Sequence, residues 1–390
     1  MCALPALTAT AQESVMHLPE PGKRNICIPT IDISGERDRQ VVVAVGTPET
    51  YQGHPTTLLM PDGRTLFCVW SIGHGGPCGP LKRSDDGGVT WSRLLPTPGN
   101  WTETRNCPTI FRLTGPQNRA RLFVFAGQGP DGTMHQSVCE DEGQTWSPMT
   151  SNGLTCVMPF CTIVPVQGGR RLLGMTNIRR PGDTTEERSN VIAQSWSDDG
   201  GFTWSDWDVV LDIPGCRICE PEVVRSPDST QLMCLMRENN RSLNAWMMIS
   251  DDEGTTWSEA RQLPAAVSGD RHAAAYAPDG RLAVCFRDTA EHSPSKDHFV
   301  AWIGTYEQLR DGDEGHYRAK LVHSYAGPDC GYSGLECLPD GTFVATTYVK
   351  LARGPEMHSV VSVRFRLDQL DRSVPSGTAD LETEALESRD

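Results

Sequence analysis

The sequence predicts an all-β protein folded as a single six-bladed β-propeller with four tight acidic hairpins. Three observations carry that prediction: two independent columns of internal repetition, and a near absence of helical periodicity. The first column is the phrase "SDDGGVTWS" at 84–92, which returns as "CEDEGQTWS" at 139–147, "SDDGGFTWS" at 197–205 and "SDDEGTTWS" at 250–258. Its closing tryptophans, Trp91, Trp146, Trp204 and Trp257, are spaced by 55, 58 and 53 residues. The second column is a turn between two apolar runs, as in "TTLLMPDGRTLFCVW" and "LECLPDGTFVATTY". Asp-Gly in that setting is a strong hairpin signal. Taking Asp62, Pro116, Gly168, Asp228, Asp279 and Asp340 as markers gives steps of 54, 52, 60, 51 and 61 residues, hence six units. A unit of this length with two hairpins holds about four short strands, one propeller blade.

The elements follow in order. "VVVAV" at 41–45 precedes the first hairpin and is expected to close the ring against the last blade. Within the repeated phrase, Ser and Asp side chains accept nearby backbone N–H groups, and Gly supplies a positive φ. Trp is an apolar anchor between sheets. The phrase is therefore expected to be the hairpin between the third and fourth strands of a blade, with its carboxylates consumed locally. Helix is expected only at "TYEQLRDG" (305–312) and in the acidic end "ADLETEALESRD". The domain reading is an N-terminal tail over 1–25, the propeller over 26–368 and an acidic tail over 369–390.

Composition narrows the function classes. The chain has 390 residues and a formal net charge of −15, with no dense basic run. That argues against nucleic acid as partner, which requires a positive footprint. No apolar stretch approaches membrane-span length. The start, "MCALPALTATAQES", reads as the end of a secretory signal with a small-residue cleavage site, so a secreted or periplasmic location is expected. Of 14 cysteines, several sit in strand-like runs, such as Cys68, Cys234 and Cys285, and read as small buried hydrophobes. "CRIC" at 216–219 has no second pair at zinc-ribbon distance, so no metal is expected. Disulfide pairing and oligomeric state stay open.

Two columns should line the mouth of the central channel, opposite the acidic hairpins. The residues that begin the innermost strands are His54, Cys107, Met158, Glu220, Arg271 and Tyr332. The residues that end the second strands bring Ser71 to His74, Gln128, Asn177 with Arg179, Arg237, Arg287 with Asp288, and Lys350. Ionisable groups converging on one concave mouth mark it as the default site.

The repeated Ser-x-Asp-x-Gly-x-Thr-Trp phrase resembles the Asp-box of the sialidase (neuraminidase) superfamily. Three copies match in full, and the second has Cys139 in place of Ser. By blade count the resemblance covers residues 40–366. It implies a glycoside hydrolase releasing terminal sialic acid, or a related ulosonic acid, from sialylated or other acidic glycans, with no cofactor. "CEPEVV…LMCLMREN" resembles the segment bearing the Glu that activates the nucleophile and an arginine of the carboxylate-binding triad, here Glu220 and Arg237. "GYSGLECLPDG" resembles the segment bearing the nucleophilic tyrosine, here Tyr332. A phenol suits this chemistry: the substrate carries a carboxylate on its anomeric carbon, which would repel a carboxylate nucleophile. Arginine forks hold such a carboxylate bidentately. Arg287 and Arg271 are further candidates for that role, and Glu222 is an alternative to Glu220.

The sequence also departs from the family pattern. The Arg-Ile-Pro expected before the first hairpin is replaced by "QGHPTTLLMPDG", which puts Gly53 at the triad position with His54 beside it. "SIGHGGPCGPLKR" contains no carboxylate where the family has its acid/base Asp. His74 is the titratable side chain there suited to general acid/base work, or it is a histidine bonded to a carbonyl. Arg105 and Arg179 are candidates to replace the missing arginine, and Gln128 to contact substrate. Two other classes stay open: a propeller glycosidase or polysaccharide lyase acting on uronic acids, and a non-catalytic propeller that binds sialoglycans.

Overall fold

The computed structural model describes residues 20–22, 25–129, 132–183 and 189–375. Six small antiparallel sheets follow one another along the chain, each a blade. Their innermost strands are Gln52–Leu59, Arg105–Thr114, Thr162–Val166, Ile218–Arg225, Gly269–Tyr276 and Ser333–Cys337. The ring closes as the sequence predicts. Gln40–Ala44 pairs antiparallel with Ser359–Arg366 and becomes the outermost strand of blade 6. A strand that the sequence reading did not anticipate, Thr30–Asp32, adds in parallel to Tyr317–Val322 and gives blade 5 a fifth strand.

Blade 1 departs from the four-strand expectation, with three strands: Gln52–Leu59, Leu66–Ile72 and Cys78–Ser84. The chain after its acidic hairpin still donates Ser92 N–H to Arg83 and Leu95 N–H to Leu81. Pro96 and Pro98 then end that pairing, because proline has no N–H to continue a ladder.

The repeated phrase is a staple. Asp199 accepts the Thr203 amide at 3.0 Å and its hydroxyl at 2.6 Å, while Ser197 Oγ accepts the Gly201 amide at 2.8 Å. Ser84/Asp86 and Ser250/Asp252 repeat the pattern. In the second copy the Cys139 sulfur replaces the hydroxyl and accepts the Gly143 amide at 2.9 Å. The glycines also seat each blade on the one before it. A Cβ on Gly143 would lie 2.2 Å from the Phe67 ring, and one on Gly254 would lie 2.5 Å from Leu173. Trp257 continues the link, donating its ring N–H to Gln194 of blade 3 at 3.0 Å.

Tyr306–Asp311 is helical, with a capping box of Thr305 and Gln308 and Gly312 at φ 85° after it. The other expected helix, at the acidic end, lies outside the described residues, as does most of the N-terminal tail. Cys68, Cys234 and Cys285 are fully buried, and all thirteen described cysteines are thiols.

Candidate active site

The innermost strands do not enter the well as regular strands. His54, Cys107, Glu220 and Arg271 all have positive φ, between 47° and 58°. At each the pairing with the second strand slips, between Gly53 and Thr56, Arg105 and Thr109, Cys219 and Glu222, and Asp270 and Ala273. These are β-bulges, which re-aim a side chain at the cost of local strain, roughly 1–2 kcal/mol for each left-handed residue. Four blades thus use the same device at the same position, the third residue of the innermost strand rather than the first that the sequence suggests.

One cluster forms where blades 4, 5 and 6 meet. The Tyr332 hydroxyl donates to Glu220 Oε1. Arg237 Nη1 donates to the same oxygen at 2.8 Å and lies 3.5 Å from the tyrosine oxygen. Glu220 is 2% exposed, and Asn177 accepts its backbone amide at 3.2 Å. Burial and the neighbouring Glu220 carboxylate push the Tyr332 phenol well above its ordinary pKa, so it is neutral at rest. The central pairing of the sequence reading, a phenol of blade 6 against an acid of blade 4, is therefore formed.

The arginines are arranged differently from expectation. Asp270, one residue before Arg271 and absent from the sequence reading, is buried among three of them. Arg237 Nε approaches it at 2.8 Å, Arg241 Nη2 at 2.7 Å and Arg287 Nε at 2.7 Å. Burial would raise the Asp270 carboxyl, but the charges of Arg237, Arg287 and Arg241 outweigh it and hold it below the usual range. Arg287 also donates to the carbonyls of Pro328 and Cys330. Its guanidinium is thus committed inside the protein, which corrects the expectation of a fork presented to ligand. Arg271 is 5% exposed, with its guanidinium carbon 5.9 Å from the Tyr332 ring centroid.

Glu222 does not share the Glu220 position. The bulge separates the two, and Glu222 lines an axial cavity of about 130 Å³ with Arg271, Glu336 and Thr109. Burial pushes Glu222 up to about 8 and Glu336 up to about 7. Each carboxyl accepts a backbone amide of the next blade, Ala274 and Leu59 respectively, so both tie adjacent inner strands together.

A second cluster lies on the blade 1 side. His74 is exposed, and its Nδ1 lies 3.2 Å from Asp329 Oδ1. The Tyr51 hydroxyl donates to that same oxygen at 2.9 Å and the Tyr348 hydroxyl at 3.2 Å. His358 Nε2 lies 2.8 Å from the Asp329 carbonyl oxygen. His54 stands between the clusters, its ring 4.6 Å from both the Tyr332 and His74 rings, edge to face in each case. Gly75 N–H donates to His54 Nδ1 at 3.1 Å. Burial, then the neighbouring His74 ring, push His54 down to about 3, so it is a neutral spacer.

At Gly53, where the resemblance implies an arginine, the surroundings leave no room for a side chain. A Cβ on Gly53 would lie 2.6 Å from the Tyr51 ring and 2.9 Å from the Gly73 carbonyl. No side chain fits there while Tyr51 and the His74 loop hold these positions. Of the proposed replacements, Arg179 donates to Asn190 at 3.1 Å, and Arg105 is exposed where its backbone pairs with Pro77 of the His74 loop. Gln128, also exposed, accepts from Thr133 at 3.3 Å.

Residues 161–326 match the family model described as a BNR repeat-like domain. No curated protein sequence matches the chain. Among solved structures it is similar to a protein of unknown function from Dyadobacter fermentans, with TM-score 0.64 and 17% identity, covering 83% of this chain and 98% of that one. It is similar as well to the leech intramolecular trans-sialidase complexed with 2,7-anhydro-Neu5Ac, with TM-score 0.61 and 14% identity over 84% and 70% of the two chains. A third is the NanB sialidase of Streptococcus pneumoniae, with TM-score 0.58 and 11% identity over 84% and 70%. In fold, then, the protein is a six-bladed β-propeller. More narrowly, the BNR repeat-like match over residues 161–326 fits a propeller similar to the sialidases named above.

Proposed function

We propose that the protein is a glycoside hydrolase that releases a terminal sialic acid, or a closely related ulosonic acid, from glycans. The observation that carries this reading is the hydrogen bond from the Tyr332 hydroxyl to Glu220, with Arg237 on the same carboxylate oxygen. Glu220 takes the phenol proton as Tyr332 oxygen attacks the anomeric carbon and the glycosidic C–O bond breaks. His74 gives a proton to the departing oxygen, then takes one from the water that cleaves the sugar–tyrosine bond. Arg237 serves both stages, stabilising ionised Glu220 and offering positive charge to the substrate carboxylate beside it. Incubation with a sialylated glycan should yield free sugar by mass. Tyr332→Phe should lower release roughly a thousandfold or more while leaving the fold intact; release at the wild-type rate overturns the reading.

One observation favours a second reading. Arg237 and Arg287 both pair with the single carboxylate of Asp270, and the His54 and Tyr332 rings stand in contact. That arrangement suits proton abstraction from a uronic acid followed by β-elimination. An ultraviolet-absorbing unsaturated product from a uronic-acid polysaccharide would identify it.

A further inference from the structure

Three groups converge on one carboxylate oxygen at the edge of the well. Asp329 Oδ1 meets His74 Nδ1 at 3.2 Å, the Tyr51 hydroxyl at 2.9 Å and the Tyr348 hydroxyl at 3.2 Å. Asp329 lies three residues before Tyr332, in the loop that leads into the last blade, so one segment supplies both the tyrosine and this carboxylate. We propose that Asp329 is the positioning residue of His74: it fixes the imidazole with its proton on Nδ1 and leaves Nε2 as the atom that exchanges protons with substrate and water. The inference rests on the hydrolase reading and deepens it, because it says which nitrogen acts and what holds it.

The tautomer follows from counting protons. Tyr51 has one hydroxyl proton, and its two neighbours are Asp329 Oδ1 at 2.9 Å and His74 Nδ1 at 3.3 Å. The shorter contact is with the charged acceptor, so the tyrosine donates to the carboxylate. His74 Nδ1 must then carry its own proton to bond Asp329. Burial would push the Asp329 carboxyl up, but the bonds from His74 and Tyr51 and the nearby His358 outweigh it and hold it well below its ordinary range. Asp329 is therefore a fixed anion. The remaining groups around His74 are His54 at 4.6 Å between ring centroids, Tyr51 at 6.3 Å and Tyr348 at 6.4 Å, with His358 beyond them on Asp329. None of them supplies a second negative charge.

The proton balance closes on this dyad. The imidazolium begins with both nitrogens protonated. As the C–O bond to the leaving group breaks, the Nε2 proton moves to the departing oxygen, and His74 becomes neutral with its Nδ1 proton still bonded to Asp329. Nε2 then takes a proton from water as its oxygen attacks the sugar carbon and Tyr332 leaves. An anion held against Nδ1 keeps the ring from flipping.

The test is Asp329→Asn in the full chain, read in two ways. In the first, the His74 ring is observed by nitrogen-15 NMR, assigned by its loss in His74→Ala. The neutral ring should carry its proton on Nδ1 in the wild type and lose that preference in the variant, and a wild-type ring protonated on Nε2 overturns the proposal whether or not sugar is released. In the second, the variant should lower kcat on a natural glycan by about 100-fold or more, with KM changed less than about threefold. The loss should be much smaller on an aryl glycoside, whose leaving group needs no proton. Combined with His74→Ala, Asp329→Asn should add little further loss. Full additivity, or equal losses on both substrates, overturns the positioning role. An inactive Tyr332→Phe alongside a fully active Asp329→Asn would leave the hydrolase reading standing and remove this one.

Discussion

Replacing Asp270 by Asn tests the least expected feature of the site. The carboxylate is 1% exposed and receives Arg237, Arg241 and Arg287 at 2.7–2.8 Å. Asn keeps the shape and one acceptor oxygen but removes the charge, leaving three guanidinium groups facing one another with Glu220 as the nearest counter-ion. Removing one partner from a buried ionic network costs about 3–5 kcal/mol. For a chain of this size the unfolding entropy is about 0.8 kcal/mol/K, so the melting temperature should fall by about 4–6 °C. The pH dependence has a definite sign. Asp270 is held below its unfolded pKa, so its contribution is fully present above about pH 4 and is lost as pH falls through the folded value. The difference between wild type and Asp270→Asn in calorimetry should therefore be constant from pH 5 to 8 and shrink on further acidification. A melting temperature within 1 °C of wild type at pH 7, or a gap that widens in acid, would refute the assignment of Asp270 as the hub that holds the arginines.

Two further outcomes follow from the same geometry. Gly53→Ala places a methyl 2.6 Å from Tyr51 and 2.9 Å from the Gly73 carbonyl, so it should cost about 1–3 kcal/mol and disturb the His74 loop; sugar release should fall, whereas wild-type activity and stability would contradict the steric account of Gly53. Asp199→Ala removes bonds from Ser197, Phe202 and Thr203, costing about 1–3 kcal/mol in thermal unfolding with kcat unchanged. Burial alone would raise the Asp199 carboxyl but the Thr203 bonds hold it low, so that cost should be present above about pH 4 and fade in acid.

Much of this was legible in the chain because repetition is a one-dimensional signal. The steps between Asp62 and Asp340 count the blades, and each Asp-box holds its own hydrogen bonds locally, as Asp199 and Ser197 do. The column that begins each innermost strand also placed Glu220 and Tyr332 on a common rim, where they meet. What stayed hidden depends on backbone conformation and on charges paired across blades. The bulges at His54, Cys107, Glu220 and Arg271 leave no compositional mark, since none of the four is glycine. They explain why Glu220 and Glu222, two apart and alike on a regular strand, have separate surroundings. Asp270 and Asp329 sit just outside the counted columns, in "GDRHAAAY" and "GPDCGYS". The available signal was an acidic residue one position before Arg271, at the start of its strand, and another three positions before Tyr332, in the loop entering the last blade. Arg287 sits in the place expected for it in blade 5, yet its partner Asp270 decides what it does.

In the proposed reaction Tyr332 forms a covalent bond to the sugar. The most direct measurement is intact and peptide mass spectrometry after acid quench of the protein with a sialic acid analogue whose second step is slowed by fluorine beside the anomeric carbon. One added sugar mass is expected, on the peptide containing Tyr332, and it should be absent from Tyr332→Phe. An active protein that carries no adduct, or carries it on another residue, would contradict it.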